Sequence, residues 1–109
     1  MTVRSLLSLR VHPGQREAAA QAYASRRVLE ECAEATPGFL GGELVLSQED
    51  PDVMCVIALW DSAASYQQWL ASPVRTAQGP DLAPFLAQTP SSTMFDVAHS
   101  YATTAKGAP

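Results

Sequence analysis

The chain has 109 residues, 47% of them hydrophobic and 17% charged, with a formal net charge of −4. That length suits one domain, the composition argues against disorder or a fibre, and the acidic balance argues against a basic nucleic-acid-binding face. Lys106 is the one lysine and asparagine is absent, which excludes a Schiff-base lysine in the core and any catalytic asparagine amide.

Val3 to Val11 alternates, with Val3, Ser5, Leu7, Leu9 and Val11 on one face and Arg4, Leu6, Ser8 and Arg10 on the other. This pattern predicts a strand closed by His12-Pro13-Gly14. Residues 15–35 are rich in strong helix formers and end at Thr36-Pro37-Gly38. The expected inward face of that helix runs through Ala18, Ala22, Leu29 and Cys32. A second strand is expected over 39–47, with Gly41-Gly42 marking a bulge or a close backbone approach. Residues 48–52 form a hairpin connection into a third strand, Val53 to Trp60.

Asp61-Ser62 caps a short helix that runs to Ser72 and is ended by Pro73. A broken helical segment with the apolar trio Leu82, Phe85 and Leu86 fills residues 74–90. Thr93 to Tyr101 is the expected last strand. Residues 1–101 then make one domain, and 102–109 a loose tail. The order β-α-β-β-α-β defines an α+β, ferredoxin-like fold with a four-stranded antiparallel sheet.

The third strand carries an expectation about assembly. Residues 53–60 are apolar on both faces, whereas a half-solvated antiparallel strand alternates. Helices cover one face of such a sheet, so a second copy packed on the other face is the expected partner, giving a homodimer. A long covering loop over 74–90 is the other reading.

Cys32 and Cys55 are too few and too widely spaced for a disulfide framework, and are read as reduced thiols. His12 and His99 are the only histidines, in no metal-binding spacing, so no metal is expected. The N-terminus shows neither a signal peptide nor a membrane span. The expected location is the cytoplasm, with no membrane or nucleic-acid partner.

The most informative stretch is Trp60-Asp61-Ser62-Ala63-Ala64-Ser65-Tyr66-Gln67-Gln68-Trp69-Leu70. Tyr66 and Trp69 lie three apart on one helix face, next to the Trp60 that ends the strand. These three aromatics are either the wall of a pocket for a flat aromatic ligand or ordinary core anchors.

Pro37-Gly38-Phe39, the acidic hairpin, the Trp60-Asp61-Ser62 turn and Trp69-Leu70-Ala71-Ser72-Pro73 together resemble the antibiotic biosynthesis monooxygenase family over residues 3–101. The resemblance implies a dimeric α+β barrel with one pocket per subunit. It also implies oxidation of an aromatic polyketide, quinol or anthrone by O2 without metal or flavin. Trp60 and Tyr66 match the tryptophan and tyrosine of anthrone oxygenases, whose asparagine falls on Val56 here. The haem-degrading branch has an asparagine, a tryptophan and a histidine at positions matching Leu7, Trp69 and Gly79, so its axial haem ligand is missing.

In that chemistry Trp60 and Tyr66 are the candidate donors to the substrate oxygen, and His99 is the candidate base. Trp69, Leu7, Val56, Tyr23, Arg26 and Phe85 are the candidate substrate-binding residues. Arg26 pairs with Glu30 in the alternative reading, and Arg75 either guards the pocket mouth or is solvated. Ser5 reads as a core hydroxyl. The expected activity is a cofactor-free monooxygenase. A non-oxidative polyketide cyclase or isomerase, and a non-catalytic ligand-binding subunit, are the alternatives.

Overall fold

The computed structural model describes residues 1–103. The expected tail over 102–109 therefore lies largely outside the described residues, Lys106 included. Four strands form one antiparallel sheet: β1 Val3–Arg10, β2 Phe39–Leu46, β3 Val53–Trp60 and β4 Ser91–Asp96, in the order β2-β3-β1-β4. Helices α1 Arg16–Ser25, α2 Val28–Ala35, α3 Ala63–Leu70 and α4 Pro73–Leu82, with a 3-10 turn at Ala83–Phe85, complete the ferredoxin-like α+β fold. None of the described helices is long and apolar enough to cross a membrane.

The single helix expected over 15–35 is two helices. Arg27 sits in the left-handed region with φ 59°, the one non-glycine residue with positive φ among those described. This residue turns the chain between α1 and α2. The conformation is unfavourable for a residue with a Cβ, and the ion pairs Arg26–Glu31 and Arg27–Glu34 clamp the junction. The break also rotates the buried face. Ala19, Tyr23 and Cys32 are buried, whereas Ala18 is exposed and Ala22 and Leu29 are half-buried.

Two further boundaries differ from the sequence expectation. Pro73 does not end a helix but begins one. Ser72 caps α4 by accepting the Val74 N–H at 3.2 Å, and proline is well tolerated at the first helical position because that N–H has no helical partner. The last strand ends at Asp96 rather than Tyr101. Asp96 pairs with Val3, and the Val97 N–H takes the Thr2 carbonyl at 3.0 Å. β1 then has no residues left to pair with.

Gly38 explains how the turn before β2 meets the start of α3. A Cβ at this position would overlap the Ser65 hydroxyl and the Asp61 carboxylate, which are hydrogen-bonded to each other. Ser62 caps α3 by accepting the Ser65 N–H at 3.2 Å. The bulge at Gly41 also forms, with a register shift between Phe39 and Gly41.

All four helices lie on one side of the sheet. α4 packs on α1 and α2, so residues 74–90 do not cover the opposite face. By strand alternation and register, that face carries Leu6, Val45, Cys55, Ile57, Leu59 and Phe95. Under the helices the core divides in two. One cluster gathers Val3, Cys32, Ala58, Trp60, Tyr66 and Trp69, and the other Leu9, Val11, Ala19, Tyr23, Met54 and Leu82.

Candidate functional site

A cavity of about 680 Å³ lies between these two clusters, within the size range of small-molecule sites. Its floor is the helix-facing side of β1 and β3, where Ser5 pairs with Ala58 and Leu7 with Val56. Ser92 of β4 pairs with Leu7 from the other side. The roof comes from Tyr23 of α1, Cys32 of α2, Trp69 of α3, and Arg75 and Gln78 of α4.

Strand β3 ends at Trp60, and its alternation turns the indole toward the helices. The ring is buried and packs edge-on against Phe39 at 5.2 Å and Tyr66 at 5.3 Å between centroids. Its Nε1–H donates to Ser5 Oγ at 2.9 Å. The expected direct donation from Trp60 to a substrate therefore meets a donor already in use. Ser5 receives that hydrogen bond, which leaves its own O–H as a donor. The group offered to a ligand at this point is the Ser5 hydroxyl, polarised by the indole behind it.

The phenol of Tyr66 is likewise partnered, sharing a 2.7 Å hydrogen bond with Ser92 Oγ in which either oxygen is able to donate. This contact ties α3 to β4 and sets a pair of hydroxyls at the β4 side of the floor. Ser5 and Ser92 occupy diagonal positions on neighbouring strands, about 7–8 Å apart at Cα by sheet geometry. Between them lies Leu7.

Burial pushes the Cys32 thiol up to about 12, so it faces the cavity as a neutral group. Burial also raises the Tyr23 phenol, an effect that the Arg75 guanidinium opposes. Gln78 is buried and donates from Nε2 to Glu31 Oε1 at 3.1 Å and to the Val28 carbonyl at 3.4 Å. The Gln78 and Arg26 hydrogen bonds hold the Glu31 carboxyl below its ordinary range.

Of the expected site residues, Trp60, Tyr66, Trp69, Leu7, Val56 and Tyr23 all line the cavity. Three others do not. Arg26 points to Glu31 at 2.7 Å and Asp81 at 2.8 Å, rather than to Glu30 or the cavity, and ties α1 to α2 and α4. Phe85 packs against the Leu9 and Met54 cluster. His99 is exposed beyond the end of β4, where no strand pairing directs it toward the floor. Among the described residues, no three or more His, Cys, Asp or Glu side chains gather as a metal site.

Sequence reasoning passed over Ser92 and Gln78 altogether, and read Ser5 only as core. The signal for Ser5 was present, as a small polar residue on the apolar face of a strand. Ser92 carried none, because it sits in a run of small polar residues whose register becomes known only with β1 in place.

A family model described as antibiotic biosynthesis monooxygenase matches residues 2–77. Among solved structures, a Bordetella bronchiseptica protein bearing the same family description superposes with a TM-score of 0.79 at 17% identity, covering 90% of this chain and 98% of its own. One from Nitrosomonas europaea gives 0.76 at 11% identity, covering 90% and 91%. A variant of SnoaB, a cofactor-independent oxygenase from Streptomyces nogalater, gives 0.71 at 18% identity, covering 91% and 95%. At these identities the likeness is one of fold. A search of the curated proteins finds no match. The family match spans most of the chain and agrees with the fold built above, so the chain belongs to the antibiotic biosynthesis monooxygenase family.

Proposed function

We propose that the protein is a cofactor-independent monooxygenase that oxidises an aromatic, polyketide-type phenol, anthrone or quinol with O2. The observation that carries this reading is the cavity: an apolar floor, aromatic walls, and two hydrogen-bonded pairs on its lining, the buried Trp60–Ser5 and the part-buried Tyr66–Ser92. SnoaB, with which this chain shares its fold, is itself described as a cofactor-independent oxygenase.

An anthrone that has lost a ring proton is an electron-rich anion able to reduce O2 directly. Oxygen adds at the ring carbon to give a hydroperoxide, which then loses water to leave a quinone carbonyl. One O2 thus replaces two hydrogens by one oxygen and yields one water. The protein's part is to bury the ring, hold the developing oxyanion with hydroxyl donors, and keep bulk water out. Ser5 and the Tyr66–Ser92 pair are the donors in this scheme, with Trp60 a positioning residue behind Ser5. Among the described residues, no carboxylate or imidazole lines the cavity. The substrate is therefore one acidic enough to yield its proton to water at the cavity mouth.

The test is oxygen uptake and quinone formation with an anthrone or hydroquinone, in wild type and in Trp60→Phe, Ser5→Ala and Tyr66→Phe. Turnover by wild type with slower variants is the expected result. Absence of uptake would remove the oxygenase reading, and equal rates in all four would remove the site assignment. A second reading, a ligand-binding subunit without turnover, is favoured by Leu7 and Val56, which are apolar where the resembling catalytic branches carry asparagine. Tight binding of the same compounds without oxygen uptake is its signature.

The protein also acts as a homodimer in this proposal, with two copies packed through the helix-free face of the sheet. The support is the apolar set on that face, half-buried in one chain apart from the exposed Phe95, and covered by no described element. Light scattering at micromolar concentration is expected to give twice the chain mass. Ile57→Asp is expected to give the monomer.

A further inference from the structure

We propose that the cavity is built for an aromatic carboxylic acid, its rings over the Leu7–Val56 floor and its carboxylate against Arg75 at the mouth. This deepens the substrate-site reading of the cavity and does not depend on the oxygen chemistry.

Among the described residues that line the cavity Arg75 is the only charged one, and it is exposed, which places it at the opening. Other cations of the described chain are mostly spoken for. Arg10 pairs with Asp50, Arg26 with Glu31 and Asp81, and Arg27 with Glu34, all within 2.9 Å. Arg16 donates to three backbone carbonyls at 2.8–3.0 Å. Arg75 has no carboxylate or carbonyl partner among the described residues.

Its position in α4 points the same way. Arg75 is the third residue of that helix, in the first turn, where the helix dipole disfavours a cation and where no acidic side chain compensates. A basic residue placed against a local rule, without a structural partner, is best explained by a ligand. The guanidinium makes an anion-attracting point at the mouth, on a chain whose net charge is −4.

The cavity also has a direction. Helix α4 runs from Val74, packed against the Trp60 cluster, to Leu82 in the Leu9 cluster, and Arg75 stands in its first turn, close enough for its charge to act on Tyr23. The cavity of about 680 Å³ takes a fused aromatic system with its phenolic oxygen at Ser5 and an acid group at Arg75. The guanidinium offers two parallel N–H groups, the geometry that a carboxylate takes.

The experiment compares anthraquinone-2-carboxylate with its methyl ester, reading binding through the fluorescence of Trp60 and Trp69, which both line the cavity. Wild type is expected to bind the acid at least tenfold more tightly than the ester. Arg75→Gln is expected to abolish that preference by weakening the acid alone, and Arg75→Lys to restore part of it. Arg27→Gln, which removes the same charge at an exposed site away from the cavity, is expected to leave the preference intact. Equal affinity for acid and ester in wild type overturns the proposal, as does a preference that survives Arg75→Gln. Binding of neither compound overturns it too. A preserved acid preference without oxygen uptake from any anthrone would count against the oxygenase reading and leave the acid site standing.

Discussion

The two halves of the core are built on different principles. Around Leu9 and Met54 the contacts are chiefly aliphatic and sealed, with Leu9, Ala19 and Met54 at 0% exposure. Around Trp60 the contacts are aromatic and edge-on, and the polar tips of Trp60 and Tyr66 are paired with serines from two different strands. An aliphatic cluster gains its stability from removing surface from water and from close packing. An aromatic cluster with partnered tips also fixes where hydrogen-bond donors stand, which a ligand is able to use. The cavity lies between them and is lined from both, by Leu7, Leu9, Val56 and Leu82 on the aliphatic side and by Trp60, Tyr66 and Trp69 on the aromatic side.

That contrast is open to experiment, and the largest effect belongs to the aliphatic half. Met54→Ala removes a fully buried side chain and is expected to cost about 2–5 kcal/mol of stability, read as a large fall in Tm by thermal denaturation. The same variant is expected to bind a cavity ligand at temperatures where it remains folded. A loss below about 1 kcal/mol would mean that the aliphatic half collapses freely around a void, contrary to its tight packing.

Gly38→Ala comes next, at about 1–3 kcal/mol, because the new methyl must displace Ser65 and Asp61 at the start of α3. Since α3 carries Tyr66 and Trp69, this variant is expected to weaken ligand binding as well as stability. Chemical denaturation and ligand titration of the one protein measure both. An unchanged Kd would show that α3 tolerates the shift without moving its aromatics.

Trp60→Phe should cost only about 1 kcal/mol, the net worth of one hydrogen bond, and yet slow turnover by about tenfold or more. Ser5→Ala is expected to do the same, and the double variant to be no slower than either single one, because the two side chains act as a unit. Additive losses would show that Trp60 acts on the substrate by some route other than Ser5.

The smallest effect is absent at neutral pH. Cys32 and Tyr23 both have folded-state values raised by burial, Cys32 from 9.0 to about 12. A raised folded value contributes stability that is fully present below the unfolded value and is lost as pH climbs toward the folded one. Stability is therefore expected to decline as the pH rises from 9 toward 12. Cys32→Ala is expected to flatten that decline in denaturation curves taken at several alkaline pH values. An unaltered slope would assign the decline to other groups.

Much of the fold was legible because its signals are local. Alternation placed β1 and β3, Gly41 marked its bulge, and the Asp61-Ser62 cap marked the start of α3. Trp60, Tyr66 and Trp69 were legible as a group for the same reason, a strand end followed by a helix of known period. The helix break at Arg27 was not, since good helix formers run through residues 15–35 and only packing against the sheet forces the turn. Reading Pro73 as a stop missed that a proline also starts helices, and Ser72 before it was the available clue.

By itself the sequence determined the element order, the apolar character of both faces of β3 and the three aromatics at the junction of β3 and α3, because each of these follows from short-range periodicity and turn chemistry. Tertiary structure decided which polar groups face the cavity. The indole of Trp60 meets a serine 55 residues away, and Tyr66 one 26 residues away. β4 stops where β1 runs out of partners and leaves His99 outside the cavity, while α4 brings Arg75 to its mouth. Those choices depend on strand register and helix packing, which are set by contacts between distant residues, so a one-dimensional pattern does not contain them.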